Sequence, residues 1–226
     1  MFESMESIER ALTGLAEIMG GVSVATAMVA GAGFLDHGND HQLVGGEQAL
    51  GDRLREPRRR AQFIAGRVAA RRALGMFLGR TVAAKVAIGR AASGAPLVDG
   101  HGSLRVSIAH SGEVAVAVVA PFPIGVDIER NDMRPDSFAR LFFTGAERRK
   151  ISLAAAGERH TVINMLWTRK EAASKVGHWG GRLPFARLDC SGEVVAIDDQ
   201  RLDVRSTGAA HYQLSLATFR GRGAHG

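Results

Sequence analysis

The pattern that most limits the fold of this chain is a strand-like segment, Ile124-Gly125-Val126-Asp127-Ile128-Glu129, followed by a helix-like one, Trp167-Thr168-Arg169-Lys170-Glu171-Ala172-Ala173-Ser174-Lys175. Side chains alternate along a strand, so Ile124, Val126 and Ile128 share one face while Gly125, Asp127 and Glu129 share the other. In the second segment Trp167, Glu171 and Lys175 recur at every fourth residue, which lines them along one helical stripe with acid and base adjacent. Three carboxylates with no histidine or cysteine in either segment suit a hard, oxygen-seeking cation such as Mg²⁺. Such an ion keeps several waters and shares its shell with substrate phosphates. The pattern points to phosphate chemistry.

A chain of 226 residues with 46% hydrophobic residues can build one large domain or two small ones around a real core. The single cysteine, Cys190, excludes an internal disulfide and a cysteine-rich zinc site, and a reducing, cytoplasmic location is expected. The segment Met1 to Arg10 is acidic where an export signal needs basic residues ahead of an apolar core. Val22 to Leu35 is the longest mostly apolar run, but it is punctuated by glycine and too short for a membrane span; Val22 to Ala30 is expected to be a core strand.

A net charge of +6 and a pI near 10.4 imply an acidic partner or ligand. Much of the charge is local: Arg53, Arg55, Arg58, Arg59, Arg60, Arg67, Arg71 and Arg72 interleave with Phe63, Ile64, Val68 and Leu74 at helical spacing. Pro57 is placed for the start of this basic amphipathic helix and Leu78-Gly79 for its end. Ser93 to Pro96 and Asp99 to Gly102 read as loops, and Leu104 to Ile108 and Val114 to Ala120 as strands of a hairpin with His110 and Ser111 at its mouth. Pro121-Phe122-Pro123 marks a boundary, dividing the chain into 1–121 and 122–226. Thr144 and Glu147 have capping-box spacing ahead of a helix over 145–156. A second helix over 161–176 carries the acidic stripe and ends in Gly177 to Gly181, and Val194 to Ile197, Arg201 to Arg205 and Tyr212 to Phe219 alternate as strands. The tail after Gly221 is expected to fray. Helix and antiparallel strands thus occur in each half, an α+β class with a small antiparallel sheet packed on helices in each.

Each signal has a plainer meaning when taken singly. An isolated Asp-x-Glu is most often the end of a strand, Glu171 and Lys175 could be a surface ion pair, and Trp167 has the phase of a core residue. An arginine cluster is usually a solvated face. The histidines His37, His41, His101, His160, His178, His211 and His225 show no metal-ligand spacing.

In combination, Gly125 to Glu129 and Trp167 to Lys175 resemble the signature pair of the 4′-phosphopantetheinyl transferases, of the longer, monomeric type that activates secondary-metabolite synthases. The resemblance runs from about Arg58 to Pro184. Arg59 to Arg67 looks like the family's basic helix, Gly94-Ala95-Pro96 like its Gly-Lys-Pro turn, and Ile108 to Gly112 like its Ser-His-Ser segment, with Ala109 and Ala95 departing from the pattern. Two similar subdomains related by a pseudo-twofold, with the active site at their interface, are implied.

The resemblance further implies transfer of the phosphopantetheine arm of coenzyme A to a serine of apo acyl or peptidyl carrier proteins, releasing adenosine 3′,5′-bisphosphate. By position, Asp127, Glu129 and Glu171 would hold Mg²⁺, with Mn²⁺ an alternative. His110, Ser111, Lys170 and Lys175 would contact phosphates, Arg59, Arg67 and Arg90 would meet the 3′-phosphate or flank the nucleotide, and Gly94, Ala95 and Pro96 would pack near adenine. Lys175 would stabilise charge on the leaving group, and Glu171 or Glu147, directly or through a metal-bound water, is the candidate base. Leu141, Phe142 and Phe143 offer an apolar landing site for the carrier. A monomer with no nucleic-acid or membrane partner is expected. Two alternatives stand beside this: a basic nucleic-acid-binding module, for which stacking platforms are scarce, and a coenzyme A-binding homologue without catalysis.

Overall fold

The structure is a computed structural model and describes residues 2–29, 43–179 and 183–221. Ala30 to Leu35, His37, His41, Gly180, Gly181 and the tail after Gly221 lie outside the described residues. The chain divides into two compact units, Met1–Phe122 and Pro123–Gly226.

In the first unit, helix α1 (Phe2–Met19) precedes strand β1 (Ser23–Met28), a helix that no motif in the sequence announced. The expected core strand from Val22 is thus confined to β1, which pairs antiparallel with β5. Helices α2 (Glu47–Asp52), α3 (Pro57–Leu78) and α4 (Arg80–Ala83) follow, then strands β2 (Ile88–Arg90), β3 (Pro96–Val98), β4 (Arg105–Ser111) and β5 (Val114–Ala120). Helix α3 has Pro57 in its first turn and Gly79 as its cap, the ends its sequence predicts. The three-stranded sheet has the order β1-β5-β4, and β2 pairs with β3 in a separate hairpin.

The buried face of α3 is made largely of alanine: Ala61, Ala65, Ala69, Ala70 and Ala73 pack with Leu74 against Ala25, Ala27, Ala115, Ala117 and Val119 of the sheet. Small side chains let a helix axis approach a sheet closely, and the Ser23 hydroxyl donates to the Ala73 carbonyl at 2.8 Å to pin β1 to α3. Gly66 marks a near contact, since a Cβ there would lie 2.8 Å from Cγ2 of Ile108 on β4. Two expected boundaries moved. Pro96 to Val98 is a strand because β2 supplies its ladder, and β4 extends past Ile108 because it pairs with β5 through Ser111 opposite Val114. His110 and Ser111 are therefore strand residues beside a two-residue turn.

The second unit is a four-stranded antiparallel sheet of order β6-β9-β8-β7 with a long helix on it. Strand β6 (Ile124–Arg130) leads to helices α5 (Asp136–Phe142), α6 (Gly145–Leu153) and α7 (Arg159–Val176), then to β7 (Val194–Ile197), β8 (Gln200–Ala209) and β9 (Tyr212–Phe219). The predicted capping box is present at α6: Thr144 accepts from the Glu147 N–H, and the Glu147 carboxylate accepts from the Thr144 N–H. Helix α6 stops at Leu153 rather than Ala156, where the chain turns extended at Ala154. Phe143 is completely buried with Ile151 and Leu166, and Phe142 meets Trp167 edge-to-face, so of the three residues expected to form an apolar landing site only Leu141 is exposed. The core beneath α7 joins Ala172, Ala173 and Val176 to Val195, Ile197, Leu202, Val204 and Ala217. Among the described residues no helix is long and apolar enough to cross a membrane.

The glycine of the acidic strand has a steric origin. A Cβ on Gly125 would lie 2.0 Å from the Ala172 carbonyl oxygen and 3.1 Å from the Lys175 Cβ, so α7 rests directly on β6 at that point. Gly125→Ala must push helix and strand apart and is expected to destabilise the protein by about 1–3 kcal/mol or more, read from a urea-unfolding midpoint. An unchanged midpoint would contradict this packing.

Candidate functional site

On β6 the face predicted by alternation is the one α7 covers. Asp127 follows Gly125 on that face, and Lys175, one turn past Glu171 on α7, reaches it: Lys175 Nζ donates to Asp127 Oδ1 at 2.8 Å and to the Val126 carbonyl at 2.9 Å. Asp127 is buried, and its second oxygen, Oδ2, has no hydrogen-bond partner. Burial pushes its carboxyl up to about 7, against the pull of Lys175 and with help from the nearby charges of Glu129 and Glu171. Glu171 is likewise raised, mainly by burial, with Lys175 opposing and Glu129 adding. The three carboxylates of the motif pair therefore feel one another's charge.

They are not gathered into a ready cluster. Glu129 is held by other partners: its Oε1 accepts from Trp167 Nε1 at 3.1 Å, and its Oε2 pairs with Arg134 Nη2 at 3.0 Å. Among the described residues no group of three or more histidine, cysteine, aspartate or glutamate side chains could hold a metal ion as it stands. The orphaned Oδ2 of Asp127 and the all-oxygen donor set still fit a cation of the Mg²⁺ type, which is commonly bound through one or two carboxylates with water and phosphate completing its shell. Asp127, Glu129 and Glu171 are the side chains that could hold it.

Lys170 and Glu147 take a different place from the one the resemblance implied. Both are completely buried and paired with each other, Lys170 Nζ lying 2.8 Å from Glu147 Oε2. The other two ammonium protons go to the carbonyls of Phe185, at 2.8 Å, and Leu188. A lysine has three donors, so none is left for a phosphate. Glu147 also accepts from the N–H groups of Thr144 and Cys190, both at 2.8 Å. Completely buried and already bonded to three donors, it has no access to a substrate hydroxyl from which to receive a proton. The pair ties α6 and α7 to the segment 185–190. Cys190 sits in the same network, and burial pushes its thiol up to about 12, which keeps it inert at neutral pH.

A second polar network fixes the register of α7. Thr168 Oγ1 bonds Ser215 Oγ at 2.7 Å, Ser215 bonds Ser206 at 2.9 Å, and Arg169 donates to Ser206 at 3.1 Å and to the carbonyls of Cys190 and Gly192. Ser215 lies opposite Asp127 in the β6–β9 ladder. The polar residues between Trp167 and Glu171 thus anchor the helix that presents Glu171 and Lys175.

In the first unit the predicted residues fall into one connected group and one outlier. Arg67, on the buried side of α3, is pushed down to about 10 by burial, with Glu47 opposing and Arg90 and Arg71 adding; it remains a cation at neutral pH. Its Nε has no partner, and its guanidinium lies 4.2 Å from the Phe63 ring centroid. Arg90 Nε donates to the Gly94 carbonyl at 3.0 Å, and Arg90 faces Pro96 in the β2–β3 ladder, so Arg90, Gly94, Ala95 and Pro96 form one hairpin within electrostatic reach of Arg67. His110 is exposed on β4 and shares a face with Ile108, which meets α3 at Gly66 beside Arg67. Arg59 is the outlier, exposed in the first turn of α3 and paired with Glu56 at 3.0 Å.

Profile models of protein families match both units. Residues 123–218 match the 4'-phosphopantetheinyl transferase superfamily, and residues 51–120 match the 4'-phosphopantetheinyl transferase N-terminal domain. The chain belongs to the 4'-phosphopantetheinyl transferase superfamily. Solved structures similar to this transferase include a holo-(acyl-carrier-protein) synthase from Bacillus anthracis in complex with CoA (3',5'-ADP), 25% identical, covering 44% of this chain and 92% of the other with a TM-score of 0.38. Holo-[acyl-carrier-protein] synthase from Thermotoga maritima is 15% identical over 44% of this chain and 64% of its own, with a TM-score of 0.35. The enzyme from Neisseria meningitidis is 18% identical over 44% and 96%, with a TM-score of 0.36. No curated protein matches the chain.

Three features of this transferase had no signal in the sequence. Glu47, on the short α2, is completely buried, pairs with Arg71 at 2.7 Å and accepts from the Ile88 N–H at 2.7 Å. Arg134 and Asn164 lie outside both motifs, in the loop after β6 and in the first half of α7. Their roles depend on which loop meets which helix, and no local period encodes that.

Proposed function

We propose that this chain transfers the 4′-phosphopantetheine arm of coenzyme A to a serine of acyl or peptidyl carrier proteins, with Mg²⁺ as the metal and adenosine 3′,5′-bisphosphate as the other product. One observation supports the reading most: within the family-matched region, Asp127 is buried with one oxygen on Lys175 and the other unpartnered, beside the raised carboxyl of Glu171. A lone buried carboxylate oxygen is costly unless something else completes its bonding, and a cation that also binds pyrophosphate does so. When bound at Asp127, such a cation would neutralise the pyrophosphate and lower the cost of charge on the leaving group.

The chain's own residues then divide the work. Attack of the serine oxygen on the β-phosphorus forms one P–O bond and breaks the bridging P–O bond, and the electron pair leaves with the bisphosphate. Lys175, held by Asp127 and the Val126 carbonyl, offers a fixed positive charge for that leaving oxygen. Glu171, directly or through a water on the cation, is the base for the serine proton, since Glu147 is enclosed. Arg67 and Arg90, with His110 and Ser111, supply the cationic and polar surface for the nucleotide phosphates, and the Gly94 to Pro96 hairpin packs near the base. The exposed Arg149 and Lys150 on α6 and the exposed Leu141 suit an acidic carrier with an apolar contact.

Intact mass spectrometry of an apo carrier incubated with this protein, coenzyme A and Mg²⁺ tests the reading. A mass gain equal to the phosphopantetheine arm is expected, with Glu171→Ala lowering the rate by at least about a hundredfold. A fully active Glu171→Ala enzyme would remove that residue from the chemistry. Binding of duplex DNA that is independent of Mg²⁺ and of Asp127, with no mass gain on any carrier, would favour a basic nucleic-acid-binding module instead.

A further inference from the structure

We propose that Glu47 is a positioning residue for the nucleotide half of coenzyme A. Its buried carboxylate ties helix α3 to strand β2 and so fixes Arg67 and Arg90 relative to each other as a receiver for the 3′-phosphate. This inference rests on the transferase reading and gives a part in it to a side chain that lies ahead of the family-matched residues 51–120.

Glu47 opens α2 and is completely buried, so its charge has to be met by donors within the protein. Those donors come from separate segments. Arg71 Nη1 on α3 donates to Oε1 at 2.8 Å and to Oε2 at 2.7 Å, and the Ile88 N–H on β2 donates to Oε1 at 2.7 Å. The Val44 N–H, just ahead of α2, donates to Oε2 at 3.1 Å. Across the β2–β3 hairpin, Asp99 donates to the Ala87 carbonyl and Ala91 to the Ala95 carbonyl. Alternation then turns the Ile88 N–H away from β3, which leaves it for Glu47.

Both long-range bonds end next to a cation of the nucleotide site. Arg71 lies one helical turn after Arg67 on the same face of α3, and both residues are only 8% exposed. Ile88 lies two residues before Arg90, on the same face of β2. Arg90 is itself held to its hairpin, its Nε donating to the Gly94 carbonyl at 3.0 Å. Like charges repel, and the charges of Arg90 and Arg71 both press Arg67 toward losing its proton while Glu47 opposes them. The Glu47 bridge therefore works against a repulsion that would spread β2 from α3. An incoming phosphate meets two cations already set, and binding does not have to supply the cost of bringing them together.

Isothermal titration calorimetry of the full chain with adenosine 3′,5′-bisphosphate and with adenosine 5′-monophosphate, without metal or carrier, isolates the 3′-phosphate. The ratio of the two affinities is the readout. The native protein should prefer the bisphosphate by about thirtyfold or more, the scale of charge-assisted contacts to two arginines. Glu47→Asp keeps the charge but draws the carboxylate back by one methylene, so it cannot span both partners, and it should lower the ratio by about tenfold. Glu47→Gln with Arg71→Met removes both members of the buried pair, leaves the net charge of the site unchanged and cuts the link to α3. Replacing a buried ion pair in this way is compatible with folding, and the double variant should lower the ratio by about tenfold as well. A Glu47 that served stability alone would lower the urea-unfolding midpoint of Glu47→Asp and leave the ratio native. A native ratio in Glu47→Asp or in the folded double variant overturns the proposal. Arg67→Met separates the two levels. If the native protein shows no preference for the bisphosphate, or if Arg67→Met keeps that preference, the nucleotide site of the transferase reading fails and the role of Glu47 fails with it. If Arg67→Met lowers the ratio while the double variant does not, only the present proposal fails.

Discussion

Asp127→Asn is expected to abolish phosphopantetheine transfer while making the metal-free protein more stable at alkaline pH. Burial raises the Asp127 carboxyl from an ordinary 3.8 to about 7 in the folded state, with Lys175 only partly offsetting it. A group whose folded pKa lies above its unfolded value contributes stability that is fully present below the unfolded pKa and is lost as pH rises through the folded one. In chelator, stability should therefore fall as pH rises from about 4 through about 7, because the folded protein must give up a proton that the unfolded chain has already lost. Asparagine carries no charge to lose. The variant should match the native protein near pH 4 and exceed it at pH 8 to 9 by on the order of 2–4 kcal/mol, the scale of a shift of about three units. Urea-unfolding midpoints across pH in chelator provide the check, alongside the mass-gain assay. Equal stability of the two proteins at pH 9 would show that Asp127 is not a strained carboxylate awaiting a counter-charge.

Lys170→Ala is expected to be one of the most destabilising single changes outside the hydrophobic core, at about 3–5 kcal/mol, because it strands the charge of the completely buried Glu147. The double variant Lys170→Met with Glu147→Gln removes both charges and keeps one amide oxygen, enough for one of the N–H groups of Thr144 and Cys190, which bond different oxygens of Glu147. It should recover at least about half of the loss. The same double variant separates a structural from a substrate role. If Lys170 bound a coenzyme A phosphate, the refolded double variant would show a KM for coenzyme A raised by about tenfold or more, the cost of a charge-assisted contact. The enclosure of Lys170 predicts a KM within about threefold of the native enzyme.

These two residues show how far the sequence could be read. Lys170, Glu171 and Lys175 carry the same kind of signal in the sequence: charged residues of one motif on one helix. The period of 3.6 separates Lys170 from the stripe of Trp167, Glu171 and Lys175, yet it does not say that α6 and the segment 185–190 close over that side. Burial there is set by contacts between distant segments, and it turned a predicted phosphate ligand into half of an internal ion pair. Phe143 was lost from the predicted carrier surface for the same reason, since Ile151 and Leu166 cover it.

What the sequence determined by itself was whatever depends on short-range periodicity and local hydrogen bonding. That includes the ends of α3 at Pro57 and Gly79, the capping box of Thr144 and Glu147, the β4–β5 hairpin, and the common face of Gly125, Asp127 and Glu129. Each follows from φ restrictions, donor counts or the alternation of side chains within a few residues. Only the tertiary structure decided that Gly125 is the point where a carbonyl of α7 touches β6, that Lys175 reaches Asp127 rather than its helical neighbour Glu171, and that Arg134 and Trp167 hold Glu129. Those are choices among partners far apart in the chain, made by packing and desolvation, and no local pattern carries them.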